Sequence, residues 1–277
     1  MGNLYDKIQE AASFVTGKLG GRTARIAIVL GSGLGDLADE IQDSVSIPYA
    51  EIPHFAKSTV QGHAGRLVAG KLGDFPLIAM QGRLHFYEGH DMATITFPVR
   101  VLKALGVEIL ILTNAAGGMN KNYRPGDLMG LRDHIFMPGL AGFNPLYGPN
   151  DERLGPRFPA VSKVYPPEFL DICEEEARNV GINFHRGVYV MVAGPNFESQ
   201  AELRFLKIQG DAVGMSTAPE TIVAAHSGMK VLGISTITNT ATGEGDSEAN
   251  HEEVLAVGRE AGPRLAALIK RVLPRLV

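Results

Sequence analysis

The run RIAIVL at residues 25–30 leads directly into GSGLG at residues 31–35, and this junction constrains the fold more than any other stretch of the chain. A short β-branched apolar run that ends in alternating glycines predicts a strand feeding a tight loop. Glycines permit the sharp turn and let several N–H groups converge on one point, a concavity suited to phosphate or another anion. A dinucleotide-binding fingerprint would need a third glycine where Asp36 stands, and a carboxylate there repels a pyrophosphate. The loop therefore predicts an anion site or a plain tight turn, and argues against a dinucleotide cofactor.

Strand and helix patterns alternate along the rest of the chain. Leu4, Ile8, Ala11, Val15 and Leu19 recur at helical spacing and stop at Gly20 and Gly21, which predicts a helix over residues 4–19. Apolar runs at 67–72 and 75–80 flank Gly73-Asp74 and predict a hairpin. A helix is expected over 94–105, with Pro98 tolerable only in its first turn. VEILIL at 107–112 reads as a strand buried on both faces. Helices are expected over 167–180, 199–209, 219–228 and 250–272, and strands over 187–192 and 231–237. This alternation predicts an α/β chain with helices around a largely parallel sheet. The exception is 138–167, which holds seven prolines and no clear period. Phe136, Leu140, Phe143, Leu146 and Phe158 keep it apolar, so it reads as a functional or interface segment rather than a linker.

Composition narrows the partners. A formal net charge of −4 gives no electrostatic reason to expect nucleic acid or an anionic membrane. No apolar run approaches the roughly 18 residues that a spanning helix needs. Asp6, Lys7 and Glu10 break the apolar pattern expected of a secretory signal. The single cysteine, Cys173, excludes an internal disulfide and a cysteine-cluster metal site, and makes reducing cytoplasm the expected compartment.

Chemistry gathers after the strands. Thr113 to Gly118, Ala193 to Glu198, and Thr238-Asn239 each follow a predicted strand, as GSGLG does. In α/β sheets, sites form beyond the carboxyl ends of strands, so four such turns predict one shared crevice. If the strand beginning at Phe75 continues, Arg83, His85 and Tyr87 alternate onto one face, either to grip a tetrahedral anion or as a solvated hairpin edge. His54, His63, His85 and His90 lack metal-ligand spacing, and no nucleophile elbow or P-loop lysine is present. Glu198 accepts hydrogen bonds and the Asn239 amide both donates and accepts, which suits the edge of a heterocycle such as a 6-oxopurine, with Phe197 over its face. Glu198 also reads as a plain helix-start residue. Three other readings stay open: an oxidoreductase using a nucleotide cofactor, a non-catalytic nucleoside or phosphate sensor, and a hydrolytic nucleosidase.

Taken together, VLGSGLG, STVQGHAGRLVAG, MQGRLHFYEGH, TFPVRVLKALGVE, TNAAGG, RDHI, NPLYGPNDERLGPRFPA, VMVAGPNFES, DAVGMSTAPE and NHEEVL run in order from residue 29 to residue 255. The chain resembles the trimeric purine nucleoside phosphorylases that act on 6-oxopurine nucleosides. The resemblance implies one domain over 1–277, a twisted mixed sheet that is partly barrel-like, and helices around it. It implies reversible phosphorolysis of inosine and guanosine, as ribo- or deoxyribonucleosides, in purine salvage, with phosphate as cosubstrate and no cofactor or metal. Ser32, His63, Arg83, His85, Ser216 and the Ala115 N–H then occupy phosphate positions. Tyr87, Met215 and His251 occupy ribose positions, joined by Phe158 from a neighbouring subunit of a homotrimer. Phe197, Glu198, Val213 and Asn239 occupy base positions, and Asn239, Glu198 and His85 are the expected catalytic groups. Related methylthioadenosine phosphorylases carry aspartate at the Asn239 position, which this chain does not. The stretch TATGEGD after Asn239 differs from the lysine that follows it in mammalian members.

Overall fold

Helix α1 (Leu4–Leu19) forms where the apolar spacing predicts it, with Asn3 Oδ1 accepting from the Asp6 N–H at its start and Gly20, at φ +60°, ending it. This computed structural model describes residues 3–57, 64–244 and 250–277.

Strand β1 (Ile26–Leu30) runs parallel to β4 (Phe75–Gln81) on one side and to β5 (Ile109–Gly118) on the other. Beyond β4 lie β3 (Arg66–Leu72) and β2 (Gln42–Pro48), each paired antiparallel to its neighbour. On the far side, β5 pairs with β8 (Ala212–Gly214), then β7 (Phe184–Met191), β6 (Leu128–Phe136) and β9 (Lys230–Thr240), and β9 pairs back onto β5. The mixed sheet is thus an open extension joined to a closed five-strand ring, and β5 belongs to both.

Period-two alternation assigns the two faces of the central strands. Ala27, Val29, Leu110 and Leu112 face a core made with Ile8 and Val15 of α1, Val99 and Leu102 of α2 (Met92–Ala104), and Ile222 and Val223 of α6 (Ala218–His226). Ile28, Leu30, Ile109 and Ile111 face a second core, made with Phe169 and Cys173 of α4 (Pro167–Asn179) and Leu265, Ile269 and Val272 of α7 (His251–Leu276). Full burial of each such side chain contributes about 1.5–3 kcal/mol. The Cys173 thiol is buried there, and burial pushes it up to about 12, so it packs as an apolar group. Among the described residues, no helix is long and apolar enough to cross a membrane.

Several expectations need correction. Pro98 sits in the second turn of α2, not the first. There it removes a hydrogen bond to Thr94, in a helix whose burial against both α1 and α6 outweighs that loss. TNAAGG is not a turn: it is the second half of β5, kept in the sheet by continuous pairing with β9. Strand β4 ends at Gln81, and residues 86–88 form a 3-10 turn, so Arg83, His85 and Tyr87 are not an alternating strand face. Strands β2, β6 and β8 carry no clean apolar alternation and have no counterpart in the sequence reading. In 138–167 only α3 (Met137–Leu140) and a 3-10 turn at Val161–Lys163 form. Helix α5 (Gln200–Leu206) starts at a capping box in which Ser199 and Glu202 bond reciprocally.

Candidate active site

The expected crevice exists. A cavity of about 490 Å³ opens where β1, β4, β5, β7 and β9 end, and α7 closes one side. From the GSGLG loop only Ser32 lines it; the Gly31 N–H donates to Thr113 Oγ1 and the Leu34 N–H to Gly31 O, so those donors are held within the fold. The loop is a tight turn that commits two of its N–H groups to the fold and presents Ser32 to the cavity. Gly33, at φ +76°, lies so close to α7 that a Cβ would sit 3.0 Å from Gly258 Cα. That approach brings the first turn of α7, with His251 and Val254, to the rim.

One end of the cavity is cationic and hydroxylic. Arg83 is 2% exposed; its Nη1 donates to Thr113 O (2.7 Å) and Ser216 Oγ (3.1 Å), and its Nε faces Glu220 Oε1 at 3.3 Å. Next to it, His85 stacks on Tyr87 with ring centroids 4.8 Å apart. Glu88 accepts from the His85 N–H at 2.6 Å and lies 3.5 Å from its Nδ1. Burial lowers the His85 pKa, outweighing Glu88, so the imidazole is neutral near pH 7. Burial also pushes the Tyr87 phenol up to about 12, so it stays protonated.

The opposite end carries an amide and a carboxylate. Ala116 pairs with Ile237 but Gly117 pairs with Asn239, so Thr238 is an extra residue in β9 and makes a bulge. Bulges re-aim side chains, and here Thr238 and Asn239 both line the cavity. Thr238 Oγ1 stands within donating distance of Ala116 O (3.3 Å) and Asn239 Oδ1 (3.1 Å), and its one proton, given to the nearer amide oxygen, fixes the amide plane. A Cβ on Gly117 would stand 3.3 Å from Asn239 Nδ2 and 2.9 Å from Ala241 Cβ, so only glycine leaves the amide this room. Glu198 precedes the Ser199 cap of α5, and burial raises its pKa, with Glu202 adding to the rise. Beyond this end, α5 fastens residues 242–244: Arg204 donates to Gly243 O (3.2 Å), and Lys207 donates to Thr242 O (2.9 Å) and Glu244 Oε1 (2.6 Å).

Residues 25–274 match the family model described as the phosphorylase superfamily. The chain is 50% identical to "Purine nucleoside phosphorylase 1" of Bacillus subtilis over 98% of each chain. It superposes with a TM-score of 0.94 on isoform 2 of Schistosoma mansoni purine nucleoside phosphorylase in complex with cytosine and ribose-1-phosphate, at 42% identity over 99% of this chain and 97% of that one. Another S. mansoni purine nucleoside phosphorylase structure, in complex with inosine, gives 0.93 at 39% identity over 98% and 97% of the two chains. The chain belongs to the purine nucleoside phosphorylases of the phosphorylase superfamily.

Of the residues that the family resemblance singles out, Ser32, Arg83, His85, Tyr87, Ala115, Phe197, Glu198, Val213, Met215, Ser216, Asn239 and His251 all line the one cavity. Two do not. His63 lies outside the described residues. Phe158 is 89% exposed and away from the cavity of its own chain, with the Arg157 guanidinium 5.6 Å from its ring centroid. Asn114 and Thr238, from the stretches expected to converge on the crevice, line it as well, and so does Glu88, to which the sequence reading assigns no role. Glu88 is a 3-10 cap that no periodicity announces. The Thr217–Glu220 network behind Ser216 had a readable signal, the capping-box spacing T-x-x-E.

Proposed function

We propose that this cavity carries out reversible phosphorolysis of purine ribo- and deoxyribonucleosides such as inosine and guanosine, yielding free base and (deoxy)ribose 1-phosphate for purine salvage. The observation that carries the reading is the polarity of one continuous cavity. A buried Arg83 with Ser216 and Ser32 stands at one end, and Glu198 and Asn239 with Phe197 stand at the other. The related structures with inosine and with ribose-1-phosphate supply a substrate and a product of that size and polarity.

In this mechanism phosphate is held by Arg83, Ser32, Ser216, His85, the Ala115 N–H and His63. Its oxygen attacks C1′ as the C1′–N9 bond breaks, and the electron pair leaves with the purine. The phosphate offsets positive charge growing on the sugar. Asn239 at N7 and O6, and Glu198 at N1–H, orient the base and stabilise the charge it gains. Tyr87, Met215 and His251 contact the ribose, and Val213 and Phe197 sandwich the base. Neutral His85 donates to phosphate without adding charge. No cofactor or metal enters, because phosphate itself is the nucleophile. A homotrimer is proposed in which Phe158 covers a neighbour's ribose. Its support is the exposure of Leu140, Phe143, Tyr147 and Phe158, between 54% and 89%, along one segment. The proposed compartment is the cytoplasm, where a chain with one buried thiol keeps it reduced.

The test is inosine with and without phosphate, scoring hypoxanthine and ribose 1-phosphate. Hypoxanthine is expected only with phosphate; equal release without it would make the protein a hydrolytic nucleosidase. A pH profile tests Glu198. Its raised pKa places the acid limb of kcat/KM for inosine above the ordinary carboxylate range, because the carboxylate must be ionised to accept from N1–H. Activity therefore falls as pH drops through that raised value. Glu198→Gln removes the limb; a limb that persists in that variant assigns it to another group.

A further inference from the structure

Thr217 occupies an unusual conformation beside the anion end. Its φ is +74° and ψ −48°, and the Ala218 N–H donates to Ser216 O at 2.8 Å across it, which makes it the centre of the rare positive-φ γ-turn. A β-branched residue is strained there, and such strain persists only where the surroundings enforce it. Here they do. The Thr217 N–H donates to Glu220 Oε2 (3.1 Å), Thr221 Oγ1 donates to Thr217 O (3.0 Å), and Asn114 Nδ2 donates to Thr217 Oγ1 (2.9 Å). Thr217 is 1% exposed and lies behind the cavity wall.

Proton accounting gives the strain a purpose. Two donors occupy the lone pairs of Thr217 Oγ1, the Asn114 amide (2.9 Å) and the Glu220 N–H of the capping box, while the two protons of Arg83 Nη1 go to Thr113 O and Ser216 Oγ. Its own proton then goes to Ser216 Oγ, 3.1 Å away. Ser216 Oγ also accepts from Arg83 Nη1, which fills its second lone pair. The remaining neighbour of Ser216, the buried Tyr189 phenol, already accepts from the Ser216 N–H at 3.3 Å. The Ser216 hydroxyl also reaches that phenol, and with both its lone pairs committed it has only its proton to offer, to Tyr189 or to an anion in the cavity.

We propose that Thr217 is a positioning residue that makes the Ser216 hydroxyl an obligate donor toward phosphate. The proposal deepens the phosphorolysis reading and rests on it. An unconstrained serine hydroxyl rotates freely and presents lone pairs to an anion as readily as its proton. With both lone pairs committed inside the wall, Ser216 presents only the proton, and the site selects a fully deprotonated acceptor at that oxygen.

The experiment measures KM for inorganic phosphate at saturating inosine, and KM for inosine at saturating phosphate, in the full chain. Thr217→Val keeps the shape and removes the hydroxyl. It is expected to raise the phosphate KM roughly tenfold, the value of one hydrogen bond to a charged group, and to leave the inosine KM within about twofold. Thr217→Gly relieves the strain while also lacking the hydroxyl, and is expected to do the same, so the test survives poor folding of the valine variant. Thr217→Ser recovers most of the phosphate affinity. If Thr217 acts through Ser216, Ser216→Ala and the double variant Ser216→Ala/Thr217→Val have equal phosphate KM. Additive losses in that cycle, or equal rises in both KM values, overturn the proposal. Phosphate-independent hypoxanthine release by the unaltered protein overturns the phosphorolysis reading instead.

Discussion

Replacing Asn239 by alanine is expected to lower kcat for inosine by about 10²–10³-fold, the usual cost of removing one donor aimed at developing charge. The loss should appear in kcat and kcat/KM together, because the amide bonds the leaving purine more strongly as charge grows on it. Phosphate affinity should change little, since Asn239 stands across the cavity from Arg83. The structure adds a reason why this one amide carries so much. It comes from the β9 bulge at Thr238, its plane is set by the Thr238 hydroxyl, and Gly117 leaves it room. Its β9 neighbour in the cavity wall, Thr238, is engaged with the amide itself, so it does not substitute for it. Asn239→Asp keeps the shape but only accepts, which should shift the adenosine-to-inosine specificity ratio upward. Single-turnover rates with inosine decide the matter: an alanine variant within tenfold of the parent would remove Asn239 from its assigned role.

How much of this was legible beforehand depended on the range of the forces involved. Helices α1, α4 and α7 and the β3–β4 hairpin are local: their apolar spacing, caps and turn residues lie within a few positions of one another, and the sequence predicts them to within a few residues. The second half of β5 is not local. TNAAGG carries turn-like residues, and only pairing with β9, more than a hundred residues away, holds it extended. The same is true of β8, three residues held between β5 and β7. Pro98 misleads for a related reason, since its local penalty is visible in sequence and the burial that compensates it is not. At the site, the family motifs located nearly every lining residue. They did not reveal how those residues are held, because Asn114 and Arg83 reach the local Thr217–Glu220 cap only through tertiary contacts.

Arg83→Met is expected to damage both function and stability, and the two losses can be separated. Arg83 and Glu220 are 2% and 3% exposed, and Glu220 bonds both the guanidinium and the Thr217 N–H. Removing one member of a buried ion pair leaves the other as an unpaired charge in a poor solvent for it, which costs about 3–5 kcal/mol. Denaturant unfolding should therefore show a large fall in midpoint for Arg83→Met. Adding Glu220→Gln neutralises the stranded carboxylate while keeping an oxygen for the Thr217 N–H. The double variant should regain most of the lost stability, because the penalty belongs to the orphaned charge rather than to the missing methylenes. Phosphate binding should not return with it. Among the described residues lining the cavity the guanidinium is the one buried cation, and each charge-assisted bond it makes is worth about 1.5–3 kcal/mol. A double variant that has regained most of the lost stability yet has a phosphate KM raised by one to two orders of magnitude, roughly what one such bond supplies, is the expected result. If stability and phosphate affinity recover together, the role of Arg83 is to pair with Glu220 and phosphate is held by the hydroxyl and amide donors alone.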